Sequence, residues 1–226
     1  MCLILAAWKS APGYPLVVAA NRDEFHGRPA SPAQFWKDAP DILAGRDLQA
    51  MGTWMGVTRT ARFAAVTNYR GAREPSAPHS RGALVTGFLK NGRGPGAYVQ
   101  DVEKQSKQYS GFNLLAADRA ELWWLSNRDS GPRPLAPGIY GLGNLLLDSP
   151  EVEAAKQRFR AAIEPAPSVE VLFDVLAGAR IVDPQYGTRC STIMVFNGDR
   201  VRFAERSFGA DGAEGETLQF EFTVKP

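Results

Sequence analysis

Cys2 follows directly on Met1, so loss of that one residue leaves a thiol and a free α-amine on the same amino acid. Those two groups make a complete nucleophile and base. An α-amine has a reference pKa of about 7.7–8.0 and a cysteine thiol about 8.5, so they exchange protons readily near neutrality. A nucleophile of this kind needs no histidine. The competing expectation is a small hydrophobe opening a strand, because Leu3-Ile4-Leu5-Ala6-Ala7-Trp8 follows and free cysteine is usually buried.

A second chemical feature is Asn21-Arg22-Asp23-Glu24, four polar side chains closing an apolar run. Placed near a core, each of them needs a partner. Strand alternation sends Asn21 and Asp23 to one face and Arg22 and Glu24 to the other. The structural alternative is an ion-pair cluster at a strand end. His26 and His79 are the histidines of the chain, each in a polar or proline-bounded segment, where a surface role is the default and axial ligation of a haem the lesser alternative. Trp36, Trp54, Trp123 and Trp124 suit core packing first and an apolar pocket second. Asn127-Arg128-Asp129 echoes the earlier motif, but its Ser-Gly-Pro surroundings read as a turn. Gly92–Gly96 lacks the lysine and the strand context of a phosphate loop.

The elements that must position these residues are legible in outline. Leu3–Trp8 and Leu16–Asn21, separated by Lys9–Pro15 with its Pro12-Gly13, predict a hairpin. Thr53–Thr58 with Phe63–Asn68, and Phe112–Asp118 with Glu121–Ser126, predict two more. Between them, Tyr69–Ser80 reads as a surface loop, and Arg81–Lys90 and Ala97–Gln108 as helices. Gly138–Gly143 adds a strand. Ser149 with Pro150 predicts a capped helix start, and Val152, Ala155, Phe159, Ala162 and Ile163 trace its apolar face. Ser168–Leu176 is a further helix. Ser191–Phe196 and Arg200–Arg206 flank an Asn-Gly-Asp turn, and Leu218–Val224 supplies a terminal strand. Strands, two helices, strands, two helices, strands is not a βαβ order. It predicts an α+β fold, a four-layer αββα sandwich of two antiparallel sheets flanked by helices, forming a single domain over 1–226.

Composition narrows the class. The 226 residues carry 26 basic and 24 acidic side chains, a net charge of +2, which leaves no electrostatic footprint for nucleic acid. With two cysteines, Cys2 and Cys190, a disulfide framework is not expected, and the usage fits a reducing, cytoplasmic setting. No apolar run reaches the roughly 18 residues of a transmembrane helix, and the start lacks the plan of a signal peptide.

Met1-Cys2, Asn21-Arg22-Asp23-Glu24, Thr67-Asn68-Tyr69-Arg70 and Gly141-Leu142-Gly143-Asn144 together resemble the NRDE family, the transport and Golgi organisation protein two-like proteins. The similarity runs from Met1 to about Ile193. That family in turn resembles the N-terminal nucleophile hydrolases of the bile-salt hydrolase and penicillin V acylase branch. The resemblance implies Cys2 as nucleophile with its freed amine as base, Asn68 as a donor to the oxyanion, Asn144 near the amine and substrate, and Arg189 beside the nucleophile, lowering its pKa. Fixed donors suit a tetrahedral intermediate, and loss of one typically costs about 3–4 kcal/mol. Without the resemblance, asparagines commonly end strands and Arg189 is an ordinary ion-pair partner. One departure stands out. The acylases place an arginine and an aspartate three residues apart, whereas matching Asp23 here puts Ala20 at the arginine position and matching Glu24 puts Asn21 there.

Two functions follow from the resemblance. One is a cysteine amidohydrolase, requiring no cofactor, that cleaves a non-peptide amide or related acyl bond of a small molecule through Cys2. The other is a non-catalytic carrier of an amphipathic anion, haem or acyl-CoA, met by Arg22, Arg70, Arg73 and Arg189 through bidentate contacts. A third is an interaction protein with a vestigial site.

Overall fold

The structure, a computed structural model, describes residues 2–71, 77–164 and 166–225. Met1 and Arg73 lie outside the described residues, as does the middle of the loop expected over Tyr69–Ser80. The chain divides into two compact units. One comprises Met1–Arg28, Pro137–Gly143 and Leu147–Val224, the other Pro29–Ala136, Asn144–Leu146 and Lys225–Pro226.

The first unit is built on strands β1 (Leu3–Ala11) and β2 (Tyr14–Phe25), whose turn is closed by Gly13 at φ +80°, a conformation that costs glycine little. Strands β10 (Gly138–Leu142), β11 (Tyr186–Asn197), β12 (Arg200–Phe208) and β13 (Glu214–Thr223) complete an antiparallel sheet in the order β10-β1-β2-β11-β12-β13. Helices α3 (Glu153–Ala162) and α4 (Val169–Ala177) cover one face of it. Strand alternation selects that face: Leu3, Leu5, Val17, Ala19, Ile193 and Val195 pack with Phe159, Leu172 and Leu176. The expected cap is not made. Ser149 directs no side-chain hydrogen bond to the helix; a short 3-10 turn over Pro150–Val152 precedes α3, and the Ser149 carbonyl accepts from the Val152 N–H. The Ser149 hydroxyl is buried with no hydrogen-bond partner among the described residues.

The second unit holds strands β3 (Ala30–Trp36), β4 (Ala39–Asp47), β5 (Met55–Thr58), β6 (Phe63–Asn68), β7 (Phe112–Ala117), β8 (Leu122–Ser126) and β9 (Arg133–Pro134), hydrogen-bonded in chain order. Helices α1 (Gly82–Lys90) and α2 (Pro95–Lys104) pack on it through Leu84, Phe88 and Val99 against Ala64, Phe112 and Leu114. The β3–β4 hairpin has no counterpart among the expected elements. Pro32 and Pro40 interrupt its apolar pattern, and tertiary pairing overrides the local signal. Each unit therefore carries an antiparallel sheet with helices on its face, the α+β class that the element order implies.

Candidate active site around Cys2

The polar quartet lies near the end of β2, with Asn21, Arg22 and Asp23 buried and Glu24 half-buried. Asn21, on the face packed by α4, accepts from Ser191 Oγ at 2.6 Å and donates to the Leu176 carbonyl at 3.0 Å. Both ends of its amide are engaged, so Asn21 pins the helix terminus to the sheet. Asp23 Oδ1 accepts from Thr188 Oγ1 at 2.6 Å. Arg22 and Glu24 approach to 3.9 Å, and Arg28 reaches the same Glu24 oxygen at 3.9 Å. The alternation expected from the sequence is thus observed.

Cys2, half-buried, lies against the Asp23 peptide. The Asp23 N–H donates to Sγ at 3.3 Å and the thiol donates to the Asp23 carbonyl at 3.4 Å, within the looser limits of sulfur. Dehydration pushes the thiol up to about 11, and the Asp23 carboxylate adds to that; the Asp23 N–H and the Arg22 guanidinium pull the other way. Cys190 lies opposite Arg22 on β11, and burial raises its thiol well above the ordinary range, helped by Glu205.

Arg189 is anchored beside the end of β2. The register of β2 and β11 shifts between Thr188 and Cys190, and Arg189 sits at that irregularity. Bulges re-aim side chains. Here the guanidinium turns to the carbonyls of Phe25, His26 and Arg28, at 3.0, 3.2 and 3.2 Å. It clamps the chain leaving the quartet, and the guanidinium acting on the Cys2 thiol is that of Arg22.

In the second unit, Asn68 ends β6 and is exposed, as is Arg70. Asn144 Nδ2 donates to the Asn68 carbonyl at 2.8 Å, and the Arg70 N–H donates to the Asn144 carbonyl at 2.6 Å. Behind them is Asn113, fully buried on β7, which donates to Thr67 Oγ1 at 3.2 Å and to the Leu145 carbonyl at 2.8 Å. The amide oxygens of Asn113 and Asn144 have no hydrogen-bond partner among the described residues. Asn113 is not among the candidate residues of the sequence, although a lone amide in the apolar run Phe112–Ala117 is itself a signal.

The other candidates have structural places. His26 Nε2 lies 3.1 Å from the Asp183 carbonyl, and His79 packs against Tyr109. Trp36 and Trp124 are core residues, and Trp123 Nε1 donates to Glu121. Among the described residues no group of three or more His, Cys, Asp and Glu could hold a metal ion, and no helix is long and apolar enough to cross a membrane.

A sequence model of the family "Transport and Golgi organisation 2" matches residues 1–184, which include Cys2, the whole quartet and both asparagines. The chain belongs to that family. Its relatives include the transport and Golgi organization protein 2 homologs of Bos taurus and Homo sapiens, each 33% identical over 275 aligned residues that cover 100% of this chain and 100% of the relative. Among solved structures, a variant of conjugated bile acid hydrolase from Clostridium perfringens superposes with a TM-score of 0.59 at 9% identity, covering 99% of this chain and 98% of that one. A second variant of the same hydrolase gives a TM-score of 0.56. This transport and Golgi organisation 2 family member thus has an N-terminal nucleophile hydrolase-like fold.

Proposed function

We propose that the protein is a cysteine amidohydrolase that opens a non-peptide amide or related acyl bond of a small molecule through Cys2, once Met1 has been removed. The observation that carries this reading is the seat of the thiol. Cys2 stands at the end of a buried strand, against a fixed N–H donor and under the influence of Arg22, in a chain with the fold of a bile acid hydrolase. The freed α-amine takes the thiol proton, and the thiolate adds to the acyl carbon. The C–N bond then breaks as the ammonium returns the proton to the departing amine, leaving a thioester on Cys2. Water, deprotonated by the same amine, cleaves the thioester and restores the thiol. Asn68 as oxyanion donor and Asn144 as the second amide belong to the same proposal, as do the Asp23 and Arg22 contributions to the thiol.

Intact-mass and N-terminal analysis tests the first requirement: complete loss of Met1, labelling of Cys2 by an amide-like electrophile, and loss of turnover in Cys2→Ser. Retention of Met1 on the mature protein rules the mechanism out.

The high titration of the Cys2 thiol supports a second reading, a non-catalytic carrier in the cytoplasm that binds haem or acyl-CoA at Arg22 and Arg70. For haem the donors at hand fit poorly, since His26 Nε2 lies at hydrogen-bonding distance from a backbone carbonyl. Titration with haemin and with a long-chain acyl-CoA tests this reading; absence of a Soret shift and of binding at micromolar concentration rejects it.

A further inference from the structure

The carbonyl of Asp23 is met by the side chains of Cys2 and Tyr186. Cys2 Sγ lies 3.4 Å from it, and Tyr186 Oη, from the first residue of β11, lies 3.3 Å from the same oxygen. The two contacts have opposite consequences for the thiol. As a neutral S–H, Cys2 donates to the carbonyl while accepting from the Asp23 N–H. As a thiolate it keeps the N–H donor but faces a carbonyl oxygen, whose partial negative charge repels it. A second donor on that oxygen draws its electron density away from sulfur and competes for the lone pairs to which the S–H is bound.

Tyr186 is well placed to be that donor. Its own N–H and that of Gln185 are fixed on Asp183 Oδ1, at 3.1 and 3.0 Å. Its ring packs edge-on against Phe25, with centroids 5.2 Å apart and planes at 74°. Gly187, the next residue, lets the chain lie close to its neighbours, because a Cβ there would stand 2.8 Å from the Ile181 carbonyl oxygen. Phe25, in turn, has its carbonyl held by Arg189. The hydroxyl is therefore delivered to the Asp23 carbonyl by a braced corner formed from the end of β2 and the start of β11.

We propose that Tyr186 is a positioning residue for Cys2, whose hydroxyl shares the Asp23 carbonyl so that this oxygen holds the S–H less tightly and repels the thiolate less. The proposal deepens the hydrolase reading and rests on it for its purpose, though its test needs no substrate. The charged groups acting on the thiol are the Asp23 carboxylate, the Arg22 guanidinium and the chain's amino terminus, and all are kept in the variants below.

The experiment is the pH profile of Cys2 alkylation by iodoacetamide, read peptide by peptide so that Cys190 is scored separately, for the parent protein, Tyr186→Phe and Tyr186→Leu. The Tyr186 bond is made in both protonation states of the thiol, so its loss moves the midpoint upward by at most the weight of one neutral hydrogen bond, about 1 kcal/mol or roughly 0.7 pH unit. The same shift is expected in both variants, because both lack the hydroxyl, while only Tyr186→Leu also loses the ring contact with Phe25. A midpoint unchanged in Tyr186→Phe, or moved downward, overturns the proposal. So does a shift confined to Tyr186→Leu, which assigns Tyr186 to packing alone. Absence of turnover or retention of Met1 counts against the hydrolase reading and leaves the midpoint comparison intact.

Discussion

Asp23→Asn separates charge from geometry at the nucleophile. The carboxylate accepts from Thr188 Oγ1, and an asparagine Oδ1 can accept the same bond, so the strand pairing and the N–H donated to Cys2 survive the change. What disappears is a negative charge near the thiol, the second cause of its high titration after dehydration. The sulfur touches the Asp23 backbone, which puts the carboxylate roughly 6 Å away; with an effective dielectric constant of about 20 the repulsion is ~2.8 kcal/mol, or about two pH units. Because Cys2 is half-buried, solvent screening reduces this to between about one and two units. The midpoint should then fall from about 11 in the parent towards the ordinary thiol range. A less basic thiolate is also a weaker nucleophile, with a Brønsted slope of about 0.4–0.5, so roughly half of the logarithmic gain in thiolate is returned. The net expectation is alkylation of Cys2 at pH 8 faster by about three- to tenfold, measured with iodoacetamide and peptide mass spectrometry. An unchanged or slower rate, in a variant whose circular dichroism and melting match the parent, refutes the electrostatic account of the site.

Asn113→Ala removes donors to Thr67 and to the Leu145 carbonyl from a fully buried position and should cost about 1–3 kcal/mol by urea denaturation. Gly52→Ala should destabilise by about 1–3 kcal/mol in the same assay, because a Cβ there would lie 2.8 and 2.9 Å from the backbone of Gly82, which cannot yield as a flexible side chain would. Cys2 and Cys190 should stay unlinked under mild oxidation when followed by non-reducing peptide mapping. Leu3 pairs with Asn21 and Cys190 with Arg22, so the two cysteines flank β2 at about two strand spacings, roughly 9.6 Å, beyond the reach of a disulfide.

What could be read in the sequence divides along the range of the forces involved. The hairpins with tight turns and the helices with strong apolar periodicity are local properties, and Arg200–Phe208 or Gly82–Lys90 formed close to where the pattern put them. The hairpin of Ala30–Trp36 and Ala39–Asp47 was hidden because its prolines speak against a strand while its stability comes from pairing with β5. The same division holds at the site. Alternation along Asn21–Glu24 needed nothing beyond the strand period, and it held. The partner of each side chain could not be found that way, since Thr188, Ser191 and Tyr186 arrive more than 150 positions later. Arg189 shows why even a family likeness leaves this open. An arginine two positions before Ser191 looks like a cation aimed at a nucleophile; a one-residue irregularity in β11 engages it with three carbonyls, and the guanidinium among the charged groups acting on the thiol is that of Arg22. A register shift of that size leaves no mark in composition or periodicity, because it is set by how two distant strands settle against each other.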